Sequence, residues 1–569
     1  MKKLLVALML SMTCINIVAQ TISESKARAN VLNFLTTQNI TMVKARQVRQ
    51  NDLSLEYTAR INNAPIYYVF NHKDGGFIIA GGDEKAEEIL CYSNHGTFDI
   101  TNIAPNFKYW LDEYERQISY AFTLKKNTTI SQKANENRLY VPILLDTQWD
   151  QGKPYNSMCP KTKYTPGYTG CVATAMAQVM KYHEWPEKAH GRHSYTDYYT
   201  GTQYDYYFEG RQYDWNNMLN NYDTFSNEIQ QHAVAQLMLD CGMAVEMGYD
   251  SDGSAAWSEN IPYAMTTYFG YDVGIQQIYH NYCNDEEWED YIYNELANSR
   301  PVLMGGANAS MTLAHSFVCD GYLNGMYHFN WGWGGMSDCY CKLSAVKSSL
   351  GNFNYEQDIV IGIQPPTDNS NLPINIISEY GNIQLTNTIS NGQQSVSVKF
   401  TDWHDCAQIY NFTYRDIDVI FSLKYENTQT GECMYAQATD YELAKYSFPS
   451  IYPVREDSDG YIIINGYQSI EIKDIQQPKL NPGTYNVTLV AKDYINKDLK
   501  DDTLWTEVRT YQGYKNYTTI VIQDPDEIEN IKSKNTEFLN NNNYNILGQH
   551  IVPTTPTIII QNGKKLLVK

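Results

Sequence analysis

Gly170-Cys171-Val172-Ala173-Thr174-Ala175-Met176-Ala177-Gln178 is the stretch on which the reading of this chain turns. A glycine precedes a cysteine, and small, mostly apolar side chains follow. That order predicts a helix opening at Cys171 and packed closely along its length, with Pro186 just beyond its far end. A thiol in the first turn of a helix faces backbone N–H groups with no partner inside the helix, and the positive end of the dipole. Both favour thiolate over thiol. A lone cysteine is more often just a small buried hydrophobe, so Cys171 needs partners before it reads as a nucleophile.

Three other segments supply them. Ala314-His315-Ser316-Phe317-Val318 puts His315 beside an apolar strand, where an imidazole without a partner is costly and a thiolate would satisfy it. Tyr327-His328-Phe329-Asn330-Trp331-Gly332-Trp333-Gly334-Gly335 follows, and Asn330 is spaced to accept from the histidine ring N–H and hold its tautomer. Trp149-Asp150-Gln151 lies upstream, and the Gln151 amide can join the Cys171 backbone N–H around a developing oxyanion. A core histidine and a solvated glutamine are the plainer readings of these residues taken singly. The other ten histidines have no comparable setting.

Outward from this centre the chain divides. Lys2 and Lys3, the apolar run Leu4 to Met12, and Val18-Ala19-Gln20 read as a secretory signal over residues 1–19. Residues 20–125 form a first unit with a helix through Ala27, Val31, Phe34 and Leu35. Strands follow at 66–70 and 77–80 around the turn Asp74-Gly75-Gly76, then a second helix through Trp110, Leu111, Tyr114 and Ile118. Residues 126–138 are polar and basic, an exposed linker open to proteolysis. Residues 139–365 hold the four segments and a further helix from a Ser226 cap to a Gly242 stop. Residues 372–523 alternate with period two, as in Ile417, Val419, Phe421, Leu423 and Tyr425, and predict an all-β sandwich of immunoglobulin-like kind. Residues 524–569 end in apolar runs flanking Asn562-Gly563, a hairpin signal.

Composition limits the partners. Asp and Glu number 64 against 43 Lys and Arg in 569 residues, a net charge of -21, which repels phosphate backbones and excludes nucleic acid as an expected partner. No run of 18 apolar residues predicts a membrane span. Eleven cysteines are too few and scattered for a disulfide scaffold in a chain of this length.

Together these segments resemble the streptopain family of papain-like cysteine proteases, peptidase family C10. The likeness runs over about residues 139–365 and rests on Trp149-Asp150-Gln151, Pro154-Tyr155-Asn156, Gly170 to His183, and Tyr327 to Gly335, with Asp214 to Met218 and Met247 to Ala255 also fitting. Residues 20–125 resemble the family's inhibitory propeptide, as in Gly75 to Ala80 and Cys91-Tyr92-Ser93. The resemblance implies an α+β chain: a two-lobe papain-like protease domain after an α+β propeptide, before the β-sandwich. It implies Cys171 as nucleophile, His315 as general base and then acid, Gln151 as oxyanion donor, and Asn330 or Trp331 orienting or shielding the histidine. Ala314 stands where the family has Gly; the resemblance implies that its segment lines the substrate cleft, together with Gly253 and Ser254. The expected activity is hydrolysis of protein or peptide substrates from a zymogen inhibited by its own propeptide, with no metal and no cofactor. The tail resembles the C-terminal signals of type IX secretion cargo, implying a secretion machinery as partner and a secreted or surface destination. Two other readings are an inert adhesion protein on the same scaffold and a Cys-His acyltransferase.

Overall fold

A computed structural model describes residues 20–568, apart from 38–48, 124–137, 163–164, 198, 223–224, 308–313, 347–356, 369–371, 379–381, 391–392, 402–408, 437–445, 449–454, 457–461, 464–466, 469–471, 512–514, 523–556 and 562–563. The N-terminal unit folds as α1 (Glu24–Thr37), then β1 (Leu53–Ile61), β2 (Ala64–His72), β3 (Phe77–Gly81) and β4 (Ile89–Ser93), then α2 (Pro105–Thr123). Both helices and both strand runs stand where the periodicity predicts. In α2, Phe107, Trp110, Leu111, Tyr114, Ile118, Ala121 and Phe122 are buried, the recurrence of a single apolar face.

The central region carries α3 (Cys171–His183), α4 (Glu228–Ala244), α5 (Asn260–Thr267), β5 (Gln276–Tyr279), α6 (Asp285–Ala297), β6 (Val302–Ala307), β7 (Ala314–Leu323), β8 (Met326–Asn330), β9 (Cys339–Cys341) and β10 (Asp358–Ile361). One sheet joins it to the N-terminal unit. Ten strands run in the order β1-β2-β3-β4-β9-β8-β7-β6-β10-β5. The junction is short: Tyr92 faces Tyr340 and Cys91 faces Cys341 in antiparallel register.

Strand alternation sorts the two faces of this sheet. Met304, Phe317, Cys319 and Ile359 share a core with α2 and α6, through Trp110, Tyr114, Trp288 and Ile292. Leu303, Val318 and Val360 turn the other way, into a core with α3 and α4 that contains Met176, Met180, Leu237 and Met238.

Helix α4 departs from its expected limits at both ends. Its cap is Asn227, whose side chain accepts from the Gln230 N–H while Gln230 reaches back, so Ser226 lies outside. Gly242 sits inside the helix rather than ending it. It is small because Tyr249 lies across it: a Cβ there would meet the Tyr249 Oη at 2.2 Å. Gly242→Ala should therefore lower stability by about 1–3 kcal/mol despite the better helix propensity of alanine, readable as a fall in thermal midpoint. A midpoint that rose would mean Tyr249 yields freely.

Of the basic linker only Arg138 is described. It is docked rather than exposed, pairing with Glu289 and Asp290 on α6. The rest of the linker and the secretory signal lie outside the described residues. Beyond 372 the described residues form strands in several sheets and two short 3-10 turns, with β11 (Ile417–Asn427) and β12 (Gly483–Asp493) paired along nearly their full lengths, as Leu423 facing Leu489 shows. The final hairpin pairs Thr557–Gln561 with Lys564–Val568. Among the described residues no helix is long and apolar enough to cross a membrane.

Candidate active site

Cys171 is the first residue of α3, and Gly170 precedes it at φ 84. That left-handed conformation suits glycine, and a Cβ at Gly170 would also meet Met247 at 2.6 Å and the Ser254 carbonyl at 3.2 Å. The Trp149-Asp150-Gln151 segment is fastened beside it. Thr169 donates its N–H to the Gln151 carbonyl at 3.1 Å, and Gln151 is buried.

Gln178, two turns along α3, ties three parts of the site together. Its Oε1 accepts from Thr147 Oγ1 at 2.9 Å and from the Trp149 N–H at 3.3 Å. Its Nε2 donates to Asn330 Oδ1 at 3.0 Å. Asn330 Nδ2 donates in turn to the Thr147 carbonyl at 2.7 Å, and its Oδ1 also takes the Gly332 N–H. In the conformation described, then, Asn330 is not engaged with a histidine.

His315 and Cys171 stand on opposite sides of β7. Ser316 N–H and hydroxyl face the Cys171 sulfur. By alternation His315 points to the other face, where its ring lies 5.9 Å from that of Tyr109 on α2. Among the described residues no hydrogen bond joins Cys171 to His315. Burial raises the Cys171 thiol above its usual pKa, only partly offset by the Ser316 and helix N–H groups. Burial also lowers His315 to about 4. Near neutral pH both groups are therefore uncharged, thiol and imidazole, with no ion pair between them.

Helix α2 occupies the histidine's surroundings. Asn106 is fully buried at its start, donating Nδ2 to the carbonyls of Ser316 and Trp331, each at 3.0 Å. Its Oδ1 accepts from Trp333 Nε1 at 3.2 Å. A Cβ at Gly306, opposite His315 in the sheet, would stand 2.7 Å from the Tyr109 Oη. Trp331 is buried against Phe107, Phe317 and Phe329, and its Nε1 donates to the Ser337 carbonyl at 2.8 Å.

Of the expected cleft residues, Ser254 is buried next to Gly170, its Oγ accepting the Asp250 N–H at 3.0 Å, whereas Gly253 is exposed. Ala314 is described through its backbone only, paired with Ala307. Asn106, Tyr109, Ser316 and Gln178 were not singled out in the sequence. Asn106 follows Pro105 at a helix start and reads there as an ordinary terminal residue. For Gln178 the one available signal is a polar residue inside an apolar helix.

A model of the Peptidase C10 family matches residues 149–341, and a model of the Spi protease inhibitor matches residues 19–118. The thiol protease/hemagglutinin PrtT of Porphyromonas gingivalis is 32% identical over 441 residues, covering 73% of this chain and 50% of its own length. The chain thus spans half of that relative. Streptopain of Streptococcus pyogenes is 34% identical over 375 residues, covering 60% of this chain and 92% of its own length. Prointerpain A of Prevotella intermedia, a solved fragment, is 34% identical, covers 55% of this chain and 99% of that fragment, and superposes with a TM-score of 0.49. With nearly the whole of streptopain matched at that identity, the chain belongs to the Peptidase C10 family of streptopain-like thiol proteases.

Proposed function

We propose that the chain is a cysteine endopeptidase made as a zymogen, with residues 20–125 its inhibitory propeptide and 139–365 its protease domain. Once the propeptide leaves, His315 swings to the Cys171 side of β7 and takes the thiol proton. The thiolate attacks the peptide carbonyl, and Gln151 with the Cys171 N–H holds the oxyanion. His315 then protonates the leaving amine, and water hydrolyses the thioester to release the acid and restore the thiol. Asn330, beside the same face as Cys171, orients the imidazole, whereas Trp331 packs with Phe317 on the face the imidazole leaves. Ser254, Gly253 and Ala314 border the substrate.

The observation that carries this reading is that Cys171 meets β7 at Ser316, one residue from His315, while Asn106 and Tyr109 hold the histidine's side of the strand. The nucleophile and base are one strand rotation apart. The strands beyond 372 are read as an immunoglobulin-like sandwich, residues 1–19 as an export signal and 524–569 as a sorting tail, which together support a secreted or surface protein.

An epoxide-type thiol protease inhibitor tests the site. Protein freed of its propeptide should take one equivalent on Cys171, and the intact chain much less. Incubating the freed enzyme with a peptide and an excess amine separates hydrolysis from acyl transfer. Amide formation in place of the free acid would overturn the endopeptidase reading, and absence of labelling would favour an inert scaffold.

A further inference from the structure

Three cysteines meet at the seam between the propeptide and the protease. Cys91 on β4 and Cys339 and Cys341 on β9 are buried, and their sulfurs all lie within 4.8 Å of one another. Cys91 Sγ is 2.7 Å from Cys341 Sγ, and Cys341 Sγ is 3.4 Å from Cys339 Sγ. None of these three has a role in the chemistry proposed above.

The ladder geometry distinguishes the pairs. Lys342 donates its N–H to the Leu90 carbonyl at 2.9 Å, so Cys91 and Cys341 occupy a non-hydrogen-bonded position of the antiparallel pair. Facing Cα atoms at such positions are about 4.5 Å apart, within the span of about 4.4–6.8 Å that a disulfide bridges. Cys339 and Cys341 are two residues apart on one strand, a separation of about 6.6 Å at the upper end of that span. Tyr114 on α2 closes over the seam, its hydroxyl reaching the carbonyls of Leu90 and Lys342.

We propose that Cys91 and Cys341 form a disulfide that fastens the propeptide to the protease, so that its release needs a reductant as well as a cut in the linker. The consequence for activation rests on the zymogen reading; the bond itself does not. The oxidant is a small-molecule disulfide, as found outside the reducing cytoplasm. One thiolate attacks it and expels a thiolate, forming a mixed disulfide; the second cysteine displaces the other half. Two thiol protons are lost, and the oxidant leaves as two thiols. Burial opposes the thiolate at all three sulfurs once the cluster is seated. Because the sulfurs are buried, the exchange takes place as β4 seats on β9 during folding. Reduction later requires that seam to loosen, which keeps the bond closed after the linker is cut.

The test uses the full chain carrying Cys171→Ala, folded in a glutathione redox buffer and nicked by limited trypsin in residues 124–137. After alkylation it is run on a denaturing gel without reductant. The expected result is one joined species that dithiothreitol separates into propeptide and remainder. Adding Cys91→Ser or Cys341→Ser should separate the pieces without reductant, and Cys339→Ser should leave them joined. Separation of the unsubstituted cluster without reductant would overturn the bond. So would loss of joining with Cys339→Ser but not Cys341→Ser, or a metal ion held by three alkylatable thiols in native mass spectrometry. Failure of the zymogen reading is distinct: Cys171-containing protein, nicked and reduced, would hydrolyse no peptide although the joined species still formed.

Discussion

Cys171→Ala should lower kcat/KM on a peptide substrate by at least about 10⁴-fold, because a nucleophile and its base act as a unit and removing either leaves little more than binding and oxyanion stabilisation. His315→Ala should cost about as much, and the double variant no more than either alone. Gln151→Ala should cost less, about 10²–10³-fold, the usual effect of losing one oxyanion donor when the backbone N–H remains. The three losses separate the roles better than any one. Cys171 is a half-buried thiol at a helix start, so its truncation should leave the thermal midpoint within a few degrees of the parent. If Cys171→Ala retained peptide hydrolysis, the nucleophile would lie elsewhere. Linker cleavage persisting in pure Cys171→Ala would instead show that maturation is carried out by another enzyme.

Weakening the α2 plug should produce the second large effect. Asn106→Ala leaves the carbonyls of Ser316 and Trp331 and the Trp333 indole N–H without the partners they have in the docked state. Buried groups stranded in this way cost about 1–3 kcal/mol each, so propeptide affinity should fall by about 10²-fold or more under reducing conditions. Acid should act on the same contact. His315 is held neutral by burial, at about 4 against an ordinary value of 6.5, so the docked state binds fewer protons between those limits than the undocked one. Docking free energy from this group is complete above about pH 6.5 and is lost as pH falls toward 4, by about 1.4 kcal/mol per pH unit at most. The dissociation constant of the cut, reduced propeptide should therefore rise by up to about tenfold per unit over that window. His315→Gln should flatten the rise. An equal slope in His315→Gln would assign the acid response to other groups.

The legible parts of this chain are those where one residue pattern admits one local structure. Small side chains after Gly170 predict a helix starting at Cys171, and it does. Alternation at 417–425 predicts a strand, and its partner at 485–491 lies in full register with it. Helix limits were less legible because Asn227 outcompetes Ser226 as cap and because Gly242 answers to Tyr249, a packing contact with no trace in local sequence. The site was legible as residue types but not as a state. Alternation places His315 and Ser316 on opposite faces, yet only the packed fold says that Cys171 lies on the Ser316 side. Asn106 is more than sixty residues upstream of Cys171 in sequence and carries no pattern of its own. The continuity of the sheet was likewise hidden, since two facing pairs at a seam leave no signature in either strand.

That continuity has a further consequence. On the zymogen reading, departure of the propeptide would take away a neighbour from β9 and so open a sheet margin inside the mature enzyme, with unpaired N–H and C=O groups along it. The new margin is only three residues long, Cys339–Cys341, whereas the departing β4 spans five. Templated association between strands grows with the length of bare ladder offered, so the shed fragment is the stickier of the two products. Clearing it by further digestion would protect the enzyme from its own former partner.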